Sequence, residues 1–171
     1  MQQHRKNTQL KKIAIGAVAL GALGIPTALA GPAGAAPAPE ATASATSTAT
    51  ARVVTLVNRE RAKVGCRALK VNTKLTKAAQ NHSKDQAVHH RMSHTGSDGS
   101  NPGQRITRAG YRWRAYGENV AYGYSTPTKV MNAWMHSPGH KANILNCSFK
   151  EIGVGVSGSN HYWTQDFATR M

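Results

Sequence analysis

The chain has 171 residues, 22 Lys and Arg against 7 Asp and Glu for a formal net charge of +15, and 40% hydrophobic but only 6% aromatic residues. That length holds one domain with appendages. Apart from one stretch near the N-terminus, no apolar run approaches the roughly 20 residues of a membrane-spanning helix, which excludes a polytopic membrane protein. Two Cys are too few for a disulfide-scaffold miniprotein or a four-Cys zinc module, so an apolar core has to supply most of the stability.

Arg5, Lys6, Lys11 and Lys12 precede an apolar run from Ile13 to Ile25, and Ala28-Leu29-Ala30 follows Pro26. Positive charge, a short apolar run and small residues predict a secretory signal peptide over residues 1–30, cut after Ala30. The run is too short for the alternative of a membrane anchor, and no membrane span is expected once the leader is removed. No acidic residue is lost with it, so 18 basic side chains would remain against 7 acidic ones.

Residues 31–51 are almost entirely Ala, Thr, Ser, Pro and Gly, with Glu40 as the only charge. Such a segment buries too little apolar surface to offset its ordering entropy and predicts a disordered linker. The domain is expected over residues 52–171. Its two cysteines, Cys66 and Cys147, lie 81 residues apart in a chain read as exported, which predicts one intrachain disulfide. A catalytic thiol is the alternative, disfavoured because an oxidising compartment pairs free thiols.

Val53, Leu56, Val57 and Val64 fall on one helical face that Gly65 ends, and Leu75, Ala78, Ala79, His82 and Gln86 on another, over about Thr73 to Met92. A Gly, Ser, Asn and Asp stretch from Ser93 to Asn101 predicts a loop, followed by a helical turn over Gln104 to Ala109. Thr126-Pro127 and Ser137-Pro138 place capping residues before Pro and predict helices over 127–136 and 138–145. After Cys147, the alternation of Ile152, Val154 and Val156 and a turn at Gly158-Ser159-Asn160 predict a C-terminal hairpin. Helices first and strands last argue for an α+β fold with a mainly antiparallel sheet.

Several chemistries can be tested against spacing. Gly153 to Gly158 formally matches a dinucleotide-binding pattern, but a strand, not a helix, follows it. Ser157 misses the nucleophile-elbow pattern because Ser159 stands at its last glycine. His136 and His140 have zincin spacing, yet Ser137-Pro138-Gly139 between them supplies no Glu and starts a new helix. His82, Asp85 and His89 lie along one side of the second helix, as metal ligands or as plain polar residues.

Arg105, Arg108, Arg112 and Arg114 interleave with Tyr111 and Trp113, which in a cytosolic protein would suggest nucleic acid. Export argues against nucleic acid and leaves anionic cell-envelope polymers, lipid head groups or another secreted protein as partners, or a solvated face. Trp134, Trp163 and Phe167 are expected in the core, and Asn119 and Asn143 as ties between loops.

Read in series, "LVNRERAKVGCRAL", "LTKAAQNHSKDQA", "MSHTG", "RITRAGY", "GENVAYG", "VMNAWMHSPGHKANIL", "EIGVGV" and "YWTQDF" resemble the bacterial branch of the CAP superfamily, which includes cysteine-rich secretory, antigen 5 and pathogenesis-related proteins. The resemblance implies a three-layer α-β-α sandwich with a surface cleft lined by His and Glu, which in some members holds a divalent metal such as zinc. His94 and Glu118 match family positions directly. Tyr162 stands where eukaryotic members have the His of an "HYTQ" motif, Ser137 stands about where they place their second Glu, and His140 resembles an alternative His of bacterial members.

His94, Glu118 and His140 are therefore the expected cleft residues and candidate metal set, beside Tyr162, with a hydrogen-bonded network as the alternative arrangement. The expected function is a secreted, monomeric binding or interaction module without turnover. The alternative is a metal-assisted extracellular hydrolase with Glu118 as general base toward a water held by His94 and His140.

Overall fold

The computed structural model describes residues 39–171, with side chains from residue 44 onward. The expected leader, 1–30, and the first part of the expected linker lie outside the described residues. In chain order the elements are α1 (Pro39–Lys63), β1 (Lys70–Val71), α2 (Thr73–Val88), α3 (Pro102–Arg108), β2 (Trp113–Ala121), α4 (Pro127–Met135), α5 (Pro138–Ile144), β3 (Glu151–Ser157) and β4 (Tyr162–Arg170).

Helix α1 begins at Pro39, inside the segment expected as a linker. The Ala-rich composition there carries high helix propensity, and Ala49 packs against the main core. Val64, expected on the buried face, lies past the helix end and is exposed. Helix α2 stops at Val88, four residues earlier than expected, with His89 as its C-cap. Thr126 caps α4 by accepting from the Lys129 amide at 3.2 Å, whereas Ser137 makes no side-chain cap bond to α5.

The four strands form one sheet in the order β1-β3-β4-β2. Both pairings of β4 are antiparallel, while the two-residue β1 runs parallel to β3. The sheet is thus mainly antiparallel, as expected, but β1 and β2 had no counterpart in the sequence reading. Strand β2 forms the sheet edge and includes Trp113 and Arg114, which had been grouped with the basic-aromatic segment.

Residues paired across antiparallel strands share a face. Ile152 pairs with Phe167 and Val156 with Trp163, and these side chains join Val53, Val57, Val130, Met131, Trp134 and Ile144 in one core cluster. Trp134, Trp163 and Phe167 are buried as expected. On the opposite face, Gly153 and Gly155 leave room for helix α2. A Cβ on Gly153 would lie 2.1 Å from the Leu75 carbonyl carbon, and one on Gly155 would lie 2.5 Å from the Gln80 backbone. The glycines of the apparent dinucleotide pattern therefore serve helix-on-strand packing.

Cys66 and Cys147 form the expected disulfide, with Cα atoms 5.1 Å apart. Closing a loop of this length is worth about 4.5 kcal/mol on the chain-entropy view. Beside it, fully buried Arg61 donates to the carbonyls of Arg67, Ile144, Asn146 and Phe149 at 2.8 to 3.2 Å. One guanidinium from α1 thereby satisfies the irregular backbone that follows α5, a role that hydrophobic periodicity does not reveal.

The packing at Gly153 predicts a large cost for one methyl group. Gly153→Ala should lower stability by about 3 kcal/mol in chemical denaturation, because the atoms it meets are helix backbone and cannot rotate away. Gly139→Ala, in α5 with open space around its Cβ position, should instead stabilise by about 0.5–1 kcal/mol. Equal midpoints for the two variants would refute the close-packing argument.

Candidate functional site

The candidate site follows from the strand register. Asp166 in β4 pairs with Glu118 on one side and Gly153 on the other, so all three face helix α2. Because Gly153 presents no side chain, the carboxyl groups of Asp166 and Glu118 sit side by side beneath the helix. Both residues are buried. Two adjacent buried carboxylates repel, and burial together with the facing Glu118 charge pushes the Asp166 pKa well above the ordinary carboxylate range. This environment favours the protonated form of Asp166, whose Oδ1 is buried without a hydrogen-bond partner among the described residues.

Arg105 of α3 balances Glu118. Its Nη2 donates to Glu118 Oε2 at 2.6 Å and its Nη1 to the Ser100 carbonyl at 2.6 Å. His94, in the loop after α2, donates from Nδ1 to Glu118 Oε1 at 2.8 Å. That bond raises the His94 pKa, with burial opposing it. His82 of α2 comes within 4.0 Å of Glu118, too far for a hydrogen bond, and donates from Nε2 to the Ser93 carbonyl at 2.8 Å. Burial is the largest influence on His82 and lowers its pKa, keeping the ring neutral with Nδ1 unpartnered.

The structure thus brings His94 and Glu118 together as expected. His140, in α5, is close enough for the His94 charge to add to the burial that lowers its pKa. Its backbone carbonyl accepts from Asn119 Nδ2 at 3.1 Å. Asn143 donates to the Glu118 carbonyl at 3.2 Å and to Asn119 Oδ1 at 2.9 Å, so both Asn residues tie α5 to the edge strand rather than tying loops together. Tyr162 is buried against Tyr122, ring centroids 4.7 Å apart, and makes no hydrogen bond to His94 or Glu118 among the described residues. It lies four residues along β4 from Asp166.

The candidate metal set also requires correction. Both Glu118 oxygens are engaged, one by His94 and one by a guanidinium whose charge opposes a cation in the same place. Among the described residues, no group of three or more His, Cys, Asp or Glu is arranged to hold a metal ion. This covers His82, Asp85 and His89 as well. Asp85 accepts from the Ser97 amide at 2.9 Å and from its hydroxyl, and His89 Nδ1 turns back to the Asp85 carbonyl at 2.9 Å. The residues present do not fit a divalent metal.

Arg105 and Asp166 were not identified as site residues from the sequence. The sequence groups Arg105 with the basic-aromatic segment, and helical spacing does not separate it from the exposed Arg108 three residues on; only the fold shows that it is buried, beside Ile106. For Asp166 the only signal was an acidic residue inside a strand otherwise buried on both faces.

Beside this network lies a cavity of about 210 Å³, lined by residues of α2, the loop after it, and α3, including Asn81, His82, Asp85, Ser97, Ser100 and Arg105. Ser100 Oγ and His82 Nδ1 are buried there without partners. Gly96 lets the loop fold inward, since a Cβ would lie 2.7 Å from Asp98 Oδ1 and 2.8 Å from Ser100 Oγ.

Residues 54–167 match the family described as CAP, the cysteine-rich secretory protein family. This chain belongs to that family. It is 39% identical over 116 residues to the Bacillus subtilis protein YkwD, covering 68% of this chain and 45% of that one. It is 29% identical over 119 residues to the Bacillus subtilis membrane protein YlbC, covering 70% of this chain and 34% of that one. The chain therefore spans less than half the length of these relatives.

Among solved structures, an extracellular protein containing an SCP domain from Bacillus anthracis superposes with a TM-score of 0.74 at 26% identity, over 80% of this chain and 45% of that one. An outer surface protein of Borrelia burgdorferi superposes with a TM-score of 0.65 at 24% identity, over 70% and 90% of the two chains. The CAP-family assignment agrees with the α+β class and with the order of helices and strands described above.

Two measurements test the electrostatics of this CAP domain. In an NMR pH titration the His94 ring should titrate above about 6.5, the ordinary His value, and return toward it in Glu118→Gln; an unmoved midpoint would contradict the hydrogen bond. Asp166→Asn tests the protonated acid. A raised folded-state pKa means the unfolded chain loses its proton first, so wild-type stability falls as pH rises above about 4 toward the folded pKa. The variant lacks that loss, and its thermal midpoint should gain on wild type steadily as pH rises above about 4. A pH-independent difference would show that Asp166 ionises normally.

Proposed function

We propose that this CAP domain is an extracellular binding module in which the cavity between α2, the following loop and α3 takes a small, neutral, hydroxyl-rich ligand without turnover. The extracellular setting rests on the leader-like N-terminus and on the description of the Bacillus anthracis relative as extracellular. No helix of the described residues is long and apolar enough to cross a membrane, which is compatible with that setting. Helices on both sheet faces support a three-layer α-β-α arrangement, with the cavity between one helical layer and its loops.

The observation that carries the binding reading is the engagement of Glu118. A general base must reach the proton it abstracts. Glu118 is buried, and its oxygens are held by His94 and Arg105. It braces the cavity wall from behind rather than meeting a water held inside. This engagement of Glu118 favours the binding module over the metal-assisted hydrolase, the other reading.

The cavity chemistry indicates the ligand class. Its volume is below the roughly 300–1,000 Å³ of sites for drug-sized molecules, which limits the ligand to about one ring. Arg108 pairs with Asp98 at 2.7 Å and Arg105 with Glu118, while the Asp85 carboxylate is taken up by the amide and hydroxyl of Ser97. The unpartnered His82 Nδ1, with the Ser100 hydroxyl beside the Asp98 carboxylate as a group that can donate or accept, suits a ligand that both donates and accepts, as a sugar ring does.

The test uses short oligomers of N-acetylglucosamine as an uncharged envelope-type glycan. Wild type should bind them saturably in an NMR titration, and Asn81→Trp, which fills the cavity from an exposed helix position, should weaken binding at least about tenfold. No new reducing ends should appear. Reducing ends produced by wild type and abolished in Glu118→Gln would establish the hydrolase instead.

A further inference from the structure

The sheet has one chemically distinct end. Its topology places the start of β1, the start of β3, the end of β4 and the start of β2 side by side, with Lys70 in register with Glu151 and Trp113 in register with Arg170. This end therefore collects Lys70 from β1, Lys150 just before β3, Arg170 from β4, and Arg112 and Arg114 at the start of β2. The first turn of α2 adds Lys74. All six are exposed, and none is paired with a carboxylate among the described residues.

Two local features hold this array open. Between Trp113 and Ala115 the register of β2 shifts, so Arg114 is the extra residue of a bulge, a device that re-aims side chains at a sheet edge. The acid nearest the array, Glu151, accepts from Asn72 Nδ2 at 2.8 Å and from the Tyr111 hydroxyl, which keeps it out of ion pairs with the cations. Arg170 lies over the Tyr111 ring at 5.3 Å, and Lys74 Nζ donates to the Gly110 carbonyl at 2.8 Å. Lys74, Arg112 and Arg170 thereby line, with Gly110 and Met171, a surface cavity of about 460 Å³.

We propose that this end of the sheet is a docking surface for a linear phosphate-bearing polyanion of the cell envelope. Six like charges left together destabilise the free fold slightly through mutual repulsion, and a polymer with regularly spaced negative charge relieves it. Three of the six are Arg, whose planar guanidinium matches the two exposed oxygens of a phosphodiester better than it matches an isolated point charge. The array extends across four strands, wider than a single anion, so a polymer is favoured over free phosphate. Lys74 lies eight residues before His82 along α2, about 12 Å by helix rise, so this surface is separate from the glycan cavity. Only the envelope origin of the polymer rests on the extracellular reading; the phosphate chemistry does not.

The experiment measures binding of the full chain to a short poly(glycerol phosphate), with inorganic phosphate, poly-glutamate and double-stranded DNA as comparison ligands. Wild type should bind the polymer, weaken at least about tenfold between roughly 50 and 200 mM salt, and ignore inorganic phosphate at the same phosphate concentration. The variant carrying Lys74→Ala, Arg112→Ala and Arg170→Ala should lose at least about tenfold in affinity and about three units of salt slope.

A control carrying Arg59→Ala, Lys129→Ala and Lys141→Ala removes the same charge elsewhere and should stay within about twofold of wild type. Unchanged thermal midpoints show that both variants fold. Equal losses in the two variants would reduce the effect to net charge and overturn the proposal. Poly-glutamate binding as tight as the phosphate polymer would overturn the phosphate assignment, and tighter binding to DNA would overturn the envelope polymer as partner.

Discussion

Helix α2 lies on strand β3 at a distance that admits no side chain between them, and the rest of the site follows from that approach. Gly153 and Gly155 leave the helix backbone within a few ångströms of the sheet. At this separation the stripe of α2 that contains Ala78, His82, Ser83 and Gln86 can only be small or polar, and the polar members must find partners in the sheet. Ser83 and Gln86 both reach Thr164 Oγ1, at 2.9 and 3.2 Å. His82 spans the gap to the loop that carries His94. A longer separation filled by aliphatic side chains would have made an ordinary core and no cavity.

The same approach explains the charge arrangement beneath the helix. Buried carboxylates are costly unless paired or neutralised. Here one arrangement uses both solutions on neighbouring strands: Arg105 pairs with Glu118, and burial with the facing charge of Glu118 favours the neutral form of Asp166. The result holds α3, the loop after α2, and the edge strand β2 to one another through a carboxylate that is itself removed from solvent. Such a group is well placed to hold geometry and poorly placed to perform proton transfer on a ligand. Asn119 and Asn143 continue the network to α5 on the opposite sheet face, so the two helical sides are joined through the polar edge of the sheet as well as through its apolar centre.

Cations follow a different pattern from acids in this molecule. With 22 basic against 7 acidic residues, most Lys and Arg cannot be paired. Arg61 and Arg105 are buried, where backbone carbonyls and, for Arg105, Glu118 accept from their terminal nitrogens. The strand ends receive many of the rest, as expected for edges, where charge also discourages pairing with a second sheet. The concentration of six at a single end goes beyond edge protection, since β1 and β2 at the two margins and β3 and β4 between them all contribute.

Helix positions marked by Pro, capping residues and apolar periodicity were legible from the amino-acid order, as were the C-terminal hairpin, the Cys66–Cys147 bond and the core aromatics, because each depends on local geometry or on a compositional rule. The pairing of His94 with Glu118 was legible only through family resemblance. Register and burial decided the remainder: that Asp166 faces Glu118, that Arg105 turns inward, that Tyr162 packs on Tyr122, that the glycines near the C-terminus seat a helix, and that residues 39–51 extend α1. Periodicity reports which face of an element is apolar, but it carries no information about which strand lies alongside or how closely a helix approaches. Those relations set the distances between charges, and the distances determine which groups are ionised, paired or free.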